Sequence, residues 1–476
     1  MNHTTLQTRS PLLQALFALL EAHSVAFRQR RTYLRAVALV IGTLFSFARH
    51  TVTQALLALG LTDADWSAWY RLFSRERFDV EQLGRCLFRE TLVHADPSQP
   101  YVVGIDGTQV PRSSMKMPGT GWLKAPRTPP FKAGIHRAQR FLNGAWLVPL
   151  EDGFSRAIPL RFLPIFPEKA VPADASPCRE WEGGLHFLHW VRQELDAAGR
   201  AGQRLLALAD GCFDTLGMWR GLPERTVLVA RAARNCRLYW LPQAEPNRVG
   251  RPRRYGERAP NPAGWLRQSQ GWQRQVVGVR GKERTIRYRV EGPFVRDGLP
   301  DRPLFLIVIR GGERWTGKRK RRRQRWEPSF FLVNAEWDGE GWQVPLPIEV
   351  LLHWVWQRWE MEVSHREMKS GLGVGEKQCW NRRSAVVSVQ WSVWVYAVLV
   401  LAGYRAWGLL GGPRSPARWW RGARRWSLNT LWRAYRSAFW GASEFRALWT
   451  GTGDNWLKKE AWLSGLYNAA LSSARS

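Results

Sequence analysis

The chain has 476 residues, with 71 Lys plus Arg against 39 Asp plus Glu, a formal charge of +32 and a sequence pI near 11.1. With 45% hydrophobic residues it can build sizeable cores, which excludes global disorder, and at about 150 residues per domain its length accommodates two to four domains. So large an excess of cations excludes an ordinary metabolic enzyme for a small neutral substrate and demands a polyanionic partner: DNA, RNA or an anionic membrane.

Residues 1–95 predict a helical domain, with apolar residues at three- and four-residue intervals in LLQALFALLEA, YLRAVALVIGTLFSFA and VTQALLALG. The opening stretch suits an amphipathic helix and carries no basic run followed by a small-residue cleavage site, so no signal peptide is expected. Within 49–74, a helix over 53–59, a turn at Gly60 and Leu61, and a second helix capped by Asp63 or Asp65 fit two readings. One is a generic helical hairpin, the other a helix-turn-helix that reads DNA.

The next region, 96–231, alternates strand and helix. The apolar run 101–105 ends at Asp106 and Gly107, a strand-then-turn signal. A Pro/Gly/basic loop over 112–132 precedes two strands at 133–140 and 145–150. An amphipathic helix (WEGGLHFLHWVRQELDAAG), a short strand ending in Asp210 (RLLALADG), a helix and a strand (ERTVLVARA) complete an α/β pattern with an acid at two strand ends.

From 232 to 335 the texture is β-rich with basic loops, including KRKRRRQR at 318–325, which reads as a solvated loop or a phosphate contact. A long amphipathic helix is expected over 347–370, stopped by Gly371. The uncharged stretch 384–404 is long enough to cross a bilayer, but basic residues flank it on both sides, and a buried core helix is the expected reading. The region 405–476 is helical, Arg-rich and dense in Trp; its tryptophans and Trp380 are expected to serve packing and dimer contacts before base stacking. The five cysteines are widely spaced without a C-x-x-C pattern, which fits a reducing cytosol better than disulfides or zinc.

Asp106 and Asp210 converge if their strands are neighbours, and a third acid on the long helix would complete an oxygen-ligand site for two divalent ions. The candidates are Glu360, Glu362, Glu367 and Glu376. Leu352, Val355, Trp356, Trp359 and Val363 make the expected packed face, and Arg358, Glu362, Arg366 and Lys369 form a separate stripe. That stripe is either an i,i+4 ion-pair ladder or a metal-binding acid among cations that grip phosphates. Asp214 is expected to cap the following helix, and His136 and His365 are expected to be satisfied histidines without a catalytic role.

Asp106 in VGIDGT, Asp210 in LALADG and the helix RWEMEVSHREMKSGLG together resemble the DDE transposases of bacterial insertion sequences, over roughly residues 45–410. The nearest branch carries its last acid in a Tyr–Arg–Glu–Lys motif: Arg358, Glu362 and Lys369 match it, while Val355 stands at the Tyr position. The resemblance implies an RNase H-like catalytic core (96–231 and 336–404) interrupted by the β-rich insertion (232–335). A helical DNA-binding domain (1–95) would precede it and the helical region 405–476 would follow. It further implies Asp106, Asp210 and Glu362 as catalytic metal ligands for two Mg²⁺ or Mn²⁺ ions, with Arg358, Lys369 and Arg366 on DNA phosphates. The partner would be DNA, bound by a homodimer in the bacterial cytoplasm, with no membrane; a non-catalytic DNA-binding descendant is the alternative.

Overall fold

The computed structural model describes residues 10–46, 49–125, 134–168, 171, 175–243, 253–316, 322–413 and 424–442. Five helices come first: α1 (Pro11–Ala22), α2 (Arg30–Phe45), α3 (Val52–Ala58), α4 (Ser67–Ser74) and α5 (Val80–Leu92). Their starts follow local chemistry. Pro11 opens α1, Thr51 Oγ1 accepts from Gln54 N at 3.2 Å, and Asp79 Oδ1 accepts from Glu81 N and Gln82 N. Gly60, at φ 71°, supplies the left-handed turn after α3, while Asp65 bonds the Ser67 amide at the start of α4.

A single large mixed sheet follows. Strands β1 (Tyr101–Pro111), β2 (Thr120–Lys124), β3 (Ile135–Leu147) and β4 (Ala157–Ile165) are antiparallel, with β2 and β4 both pairing with β3. After helix α6 (Glu180–Ala197), β5 (Leu205–Ala209) pairs parallel with β1. After the short α7 (Leu216–Arg220), β6 (Thr226–Arg231) pairs parallel with β5.

Two expectations change here. The predicted strands at 133–140 and 145–150 are one long strand, β3, and β4 was not foreseen. Its sequence AIPLRFLPI contains Pro159 and Pro164, which hide a strand; with β3 as its only partner strand among the described residues, β4 tolerates residues that lack an N–H donor.

The region after 231 contains β7 (Leu238–Trp240), β8 (Gln273–Gly278), β9 (Glu283–Arg296), β10 (Leu299–Ile309), β11 (Gly312–Thr316), β12 (Arg322–Trp326) and β13 (Ser329–Asn334). It is not a detached β module: β13 pairs antiparallel with β6, β10 with β13 and β9 with β10, so the core sheet runs on through it. The apolar runs LFLIVI and SFFLVN, buried in the middle of the sheet, make that continuation. Residues 318–321 of the basic octapeptide lie outside the described residues, as do 414–423 and 443–476 of the C-terminal region.

After the small hairpin β14 (Glu336–Trp337) and β15 (Trp342–Gln343) comes the predicted long helix, which is broken. Helix α8 (Ile348–Trp354) passes through a tight 3₁₀ turn, Val355–Arg358, into α9 (Trp359–Gly371). The turn resets the helical phase. Leu352, Val355 and Val363 are buried as expected, but Trp359 is 45% exposed rather than packed.

The apolar stretch lies in α10 (Arg382–Trp407), whose most apolar window is 89% buried against α1, α4, α5 and β4. Its surface is covered by protein, as a core helix requires, and each buried Val or Leu there contributes about 1.5–3 kcal/mol. Helix α11 (Leu428–Gly441) packs on α1, α2 and α9. Hydrophobic cores lie on both faces of the sheet, the larger under α6, α10 and the N-terminal helices, the smaller under α8 and α9.

Candidate active site

The parallel register of β1 and β5 pairs Ile105 with Ala209, so Asp106 and Asp210 are the next residues on adjacent strands, at the carboxyl ends where an open α/β sheet presents its ligand cleft. Helix α9 comes down on β1 at Gly104. A Cβ there would fall 2.5 Å from Met361 Sδ, so only glycine lets the helix approach this closely, two residues before Asp106. The next turn of α9 then faces the aspartates with Glu362 and His365.

The Asp106 side chain is 16% exposed, and its carboxyl is raised from 3.8 to about 7. Burial is the largest cause; Arg358 opposes it, and the charges of Asp210, Glu180 and Glu362 push further in the same direction. The three acids singled out in the sequence therefore share one electrostatic neighbourhood. Glu362 Oε1 accepts from Arg358 Nη2 at 2.7 Å, so Arg358 and Glu362 form an ion pair on the stripe. Burial works against the charge of Arg358, and Glu362, Asp210 and Asp106 more than offset it. Lys369 adds positive potential at His365, and Arg366 is exposed one turn beyond Glu362.

The competing glutamates are held elsewhere. Glu360, 4% exposed, is paired with Arg425. Glu367 accepts from Arg156 at 2.6 Å and from the Tyr396 hydroxyl at 2.7 Å. Glu376 accepts from the His50 amide at 2.6 Å. Asp214 does not cap α7; Thr215 does, and Asp214 instead pairs with Arg296 on β9 and accepts from Trp219 Nε1 at 2.8 Å. His136 bonds Gln109 at 2.7 Å, as a satisfied histidine should.

His365 departs from expectation. It is buried, with Nδ1 3.8 Å from Asp106 Oδ2 and Nε2 without a partner among the described residues. Burial, with Lys369 adding, lowers it to about 3, so it is a neutral imidazole beside the aspartate. Asn143 stands opposite Asp106 in the β1–β3 register; its Nδ2 donates to Ser364 Oγ at 3.3 Å and its fully buried Oδ1 has no partner among the described residues.

Sequence reasoning missed Glu180. The first residue of α6, it touches the site from the other face of the sheet, and no spacing in the sequence links it to either aspartate.

The donor set is carboxylates plus an unpaired amide oxygen, which suits a hard divalent cation such as Mg²⁺ or Mn²⁺. Among the described residues, no three His, Cys, Asp or Glu side chains converge closely enough to hold one ion. For these carboxylates to hold one ion their side chains would have to rotate, and Glu362 would have to leave Arg358.

Two acids at the ends of adjacent parallel strands and a third on a crossing helix thus stand together at one edge of a mixed α/β sheet. The family model described as DDE superfamily endonuclease matches residues 16–293, more than half of the chain, and the chain belongs to that family. The matched span contains Asp106 and Asp210 and ends before α9. Among solved structures, the cryo-EM piggyBac transposase synaptic complex with hairpin DNA is similar at 12% identity. It covers 97% of this chain and 86% of that one, with a TM-score of 0.36; the assignment rests on the family match instead. No curated protein matches the chain in sequence.

Proposed function

We propose that the chain is a DNA transposase of the bacterial insertion-sequence type, which cleaves DNA at the ends of a mobile element and joins the freed 3′-hydroxyl to target DNA. One observation carries the reading: the carboxylates of Asp106, Asp210 and Glu362 share a neighbourhood at the end of two parallel strands, inside a chain of charge +32. An RNase H-like core is supported by antiparallel β1, β3 and β4, followed across α6 by β5 and β6 parallel to β1.

Asp106, Asp210 and Glu362 would hold the divalent cations. When bound, such ions activate the attacking oxygen and stabilise the leaving one in phosphodiester cleavage. The protein's own groups do the rest. Arg358, released from Glu362, would neutralise a DNA phosphate, and Lys369 and Arg366 on the same helix would extend that contact along α9. Met361, locked over Gly104, fixes the height of the helix above the aspartates.

The test is cleavage of matched element-end DNA by the full chain with Mg²⁺. Cleavage by the unaltered chain, lost on Asp210→Asn or Glu362→Gln with the fold intact, is expected. Wild-type cleavage by Glu362→Gln would refute the site.

A further inference from the structure

A second cationic feature lies in the N-terminal helices and shares no residue with the α9 site. Between the start of α2 and helix α4 is a cavity of about 170 Å³, lined by Arg31, Thr32 and Arg35 from α2, Arg71 from α4, and Gln29 and Arg77 from the connections. Four arginines border it, and among the described residues no acid does. Arg31 and Arg71 are exposed, so the cavity is open to solvent on their side.

These arginines differ from their neighbours. Arg28 pairs with Glu76 at 2.9 Å and Arg30 with Glu21 at 3.0 Å. No carboxylate oxygen lies within ion-pair distance of Arg31, Arg35, Arg71 or Arg77 among the described residues. Asp65, whose charge Arg71 and Arg35 reach, accepts from the Ser67 amide at 2.8 Å and stands outside the cavity. Arg31 and Arg35 are four residues apart on one helix face, a like-charge spacing that destabilises a helix unless an anion relieves it. Two features independent of charge mark the same hollow. Thr32 is 5% exposed, and its hydroxyl has no hydrogen-bond partner among the described residues. Helix α2, 16 residues long, begins without a side-chain cap, because Gln29 makes no capping bond, so its first amides and the positive end of its dipole are left uncompensated. Guanidinia, a buried hydroxyl and an uncapped helix start around one cavity together make a receptor for a tetrahedral oxyanion.

We propose that this cavity holds a backbone phosphate of double-stranded DNA, gripped by Arg31, Arg35, Arg71 and Arg77, with the Thr32 hydroxyl as a further donor. Such a contact fixes the register of the duplex on the protein without reading its bases. That the polyanion is DNA rests on the reading of the chain as a DNA transposase, and the experiment separates the two.

Binding of the full chain to a labelled DNA duplex, and to an RNA duplex of the same sequence, is measured by fluorescence anisotropy in EDTA over a range of salt. The proteins are the wild type, Arg35→Gln, Arg77→Gln, Thr32→Val and, as a control, Arg28→Gln, with thermal melts as the check on folding. Arg35→Gln and Arg77→Gln should each bind DNA about tenfold more weakly and lower the slope of log affinity against log salt by about one. Thr32→Val keeps charge and shape and should weaken DNA binding about fivefold. Arg28→Gln removes the same charge outside the cavity and should stay within about twofold of the wild type. Cavity variants that bind DNA like the wild type, or a control that loses as much as they do, would overturn the proposal, as would losses on the RNA duplex alone. Cleavage with Mg²⁺ is scored in parallel. A wild type that cleaves, with cavity variants that bind normally, removes the phosphate site and keeps the transposase reading. Weakened DNA binding in the variants of a chain that never cleaves does the reverse.

Discussion

Asp106 gives the site a measurable signature in the metal-free protein. Its carboxyl is held at about 7 against an ordinary 3.8, so between those values the folded chain keeps a proton that the unfolded chain has lost. The folded state binds more protons there, and stability must fall as pH rises from about 4 to about 7, then level off. At roughly 1.4 kcal/mol per pH unit, moving from pH 5 to pH 8 removes roughly 3 kcal/mol through this group alone. For a chain of this size that is on the order of 3–6 °C in melting temperature. Asp106→Asn preserves shape and abolishes the titration, so it should melt with that much less pH dependence than the wild type. The assay is a thermal melt of both proteins in EDTA at the two pH values. Mg²⁺ or Mn²⁺ should then raise the wild-type melting temperature more at pH 8 than at pH 5, because the cation and the proton compete for one carboxylate. Equal pH dependence in wild type and Asp106→Asn would refute the picture of a buried carboxyl strained by its neighbours.

Three other outcomes follow from the same geometry. Glu367→Gln leaves the Arg156 guanidinium, 1% exposed, without its carboxylate, and should cost about 3–5 kcal/mol in a denaturation experiment. Gly104→Ala drives a methyl into Met361 and should destabilise the chain by about 1–3 kcal/mol while depressing metal-dependent cleavage beyond what the lost stability explains. Lys369→Ala should weaken DNA binding across all sequences alike and reduce the slope of log affinity against log salt by about one, read by fluorescence anisotropy.

The two aspartates were legible because strand, acid and glycine occur within a few residues of each other, in GIDG and LADG. The fates of the glutamates were not. Glu360, Glu367 and Glu376 meet Arg425, Arg156 and His50, partners far away in sequence, and nothing local distinguishes a clamped carboxylate from one facing the cleft. The same distance hid Glu180, whose carboxylate lies against Gly107 where α6 crosses the sheet. The broken helix was missed for a different reason. Val355 and Trp356 fit an α-helical face as well as a 3₁₀ turn, and only the exposure of Trp359 reveals the change of phase. Strand β4 was concealed by its prolines, and the joining of β13 to β6 by nearly one hundred intervening residues.

The tie between α9 and the far end of the described chain joins parts of the protein that are synthesised well apart in time. Glu360 stays buried because Arg425 reaches it, and Arg156 is fixed by the Trp426 carbonyl at 3.0 Å with the indole against its guanidinium. Both anchors leave the ribosome long after Asp106, Asp210 and Glu362. A chain that ends before residue 424 lacks the guanidinium that pairs with the buried Glu360 carboxylate on α9.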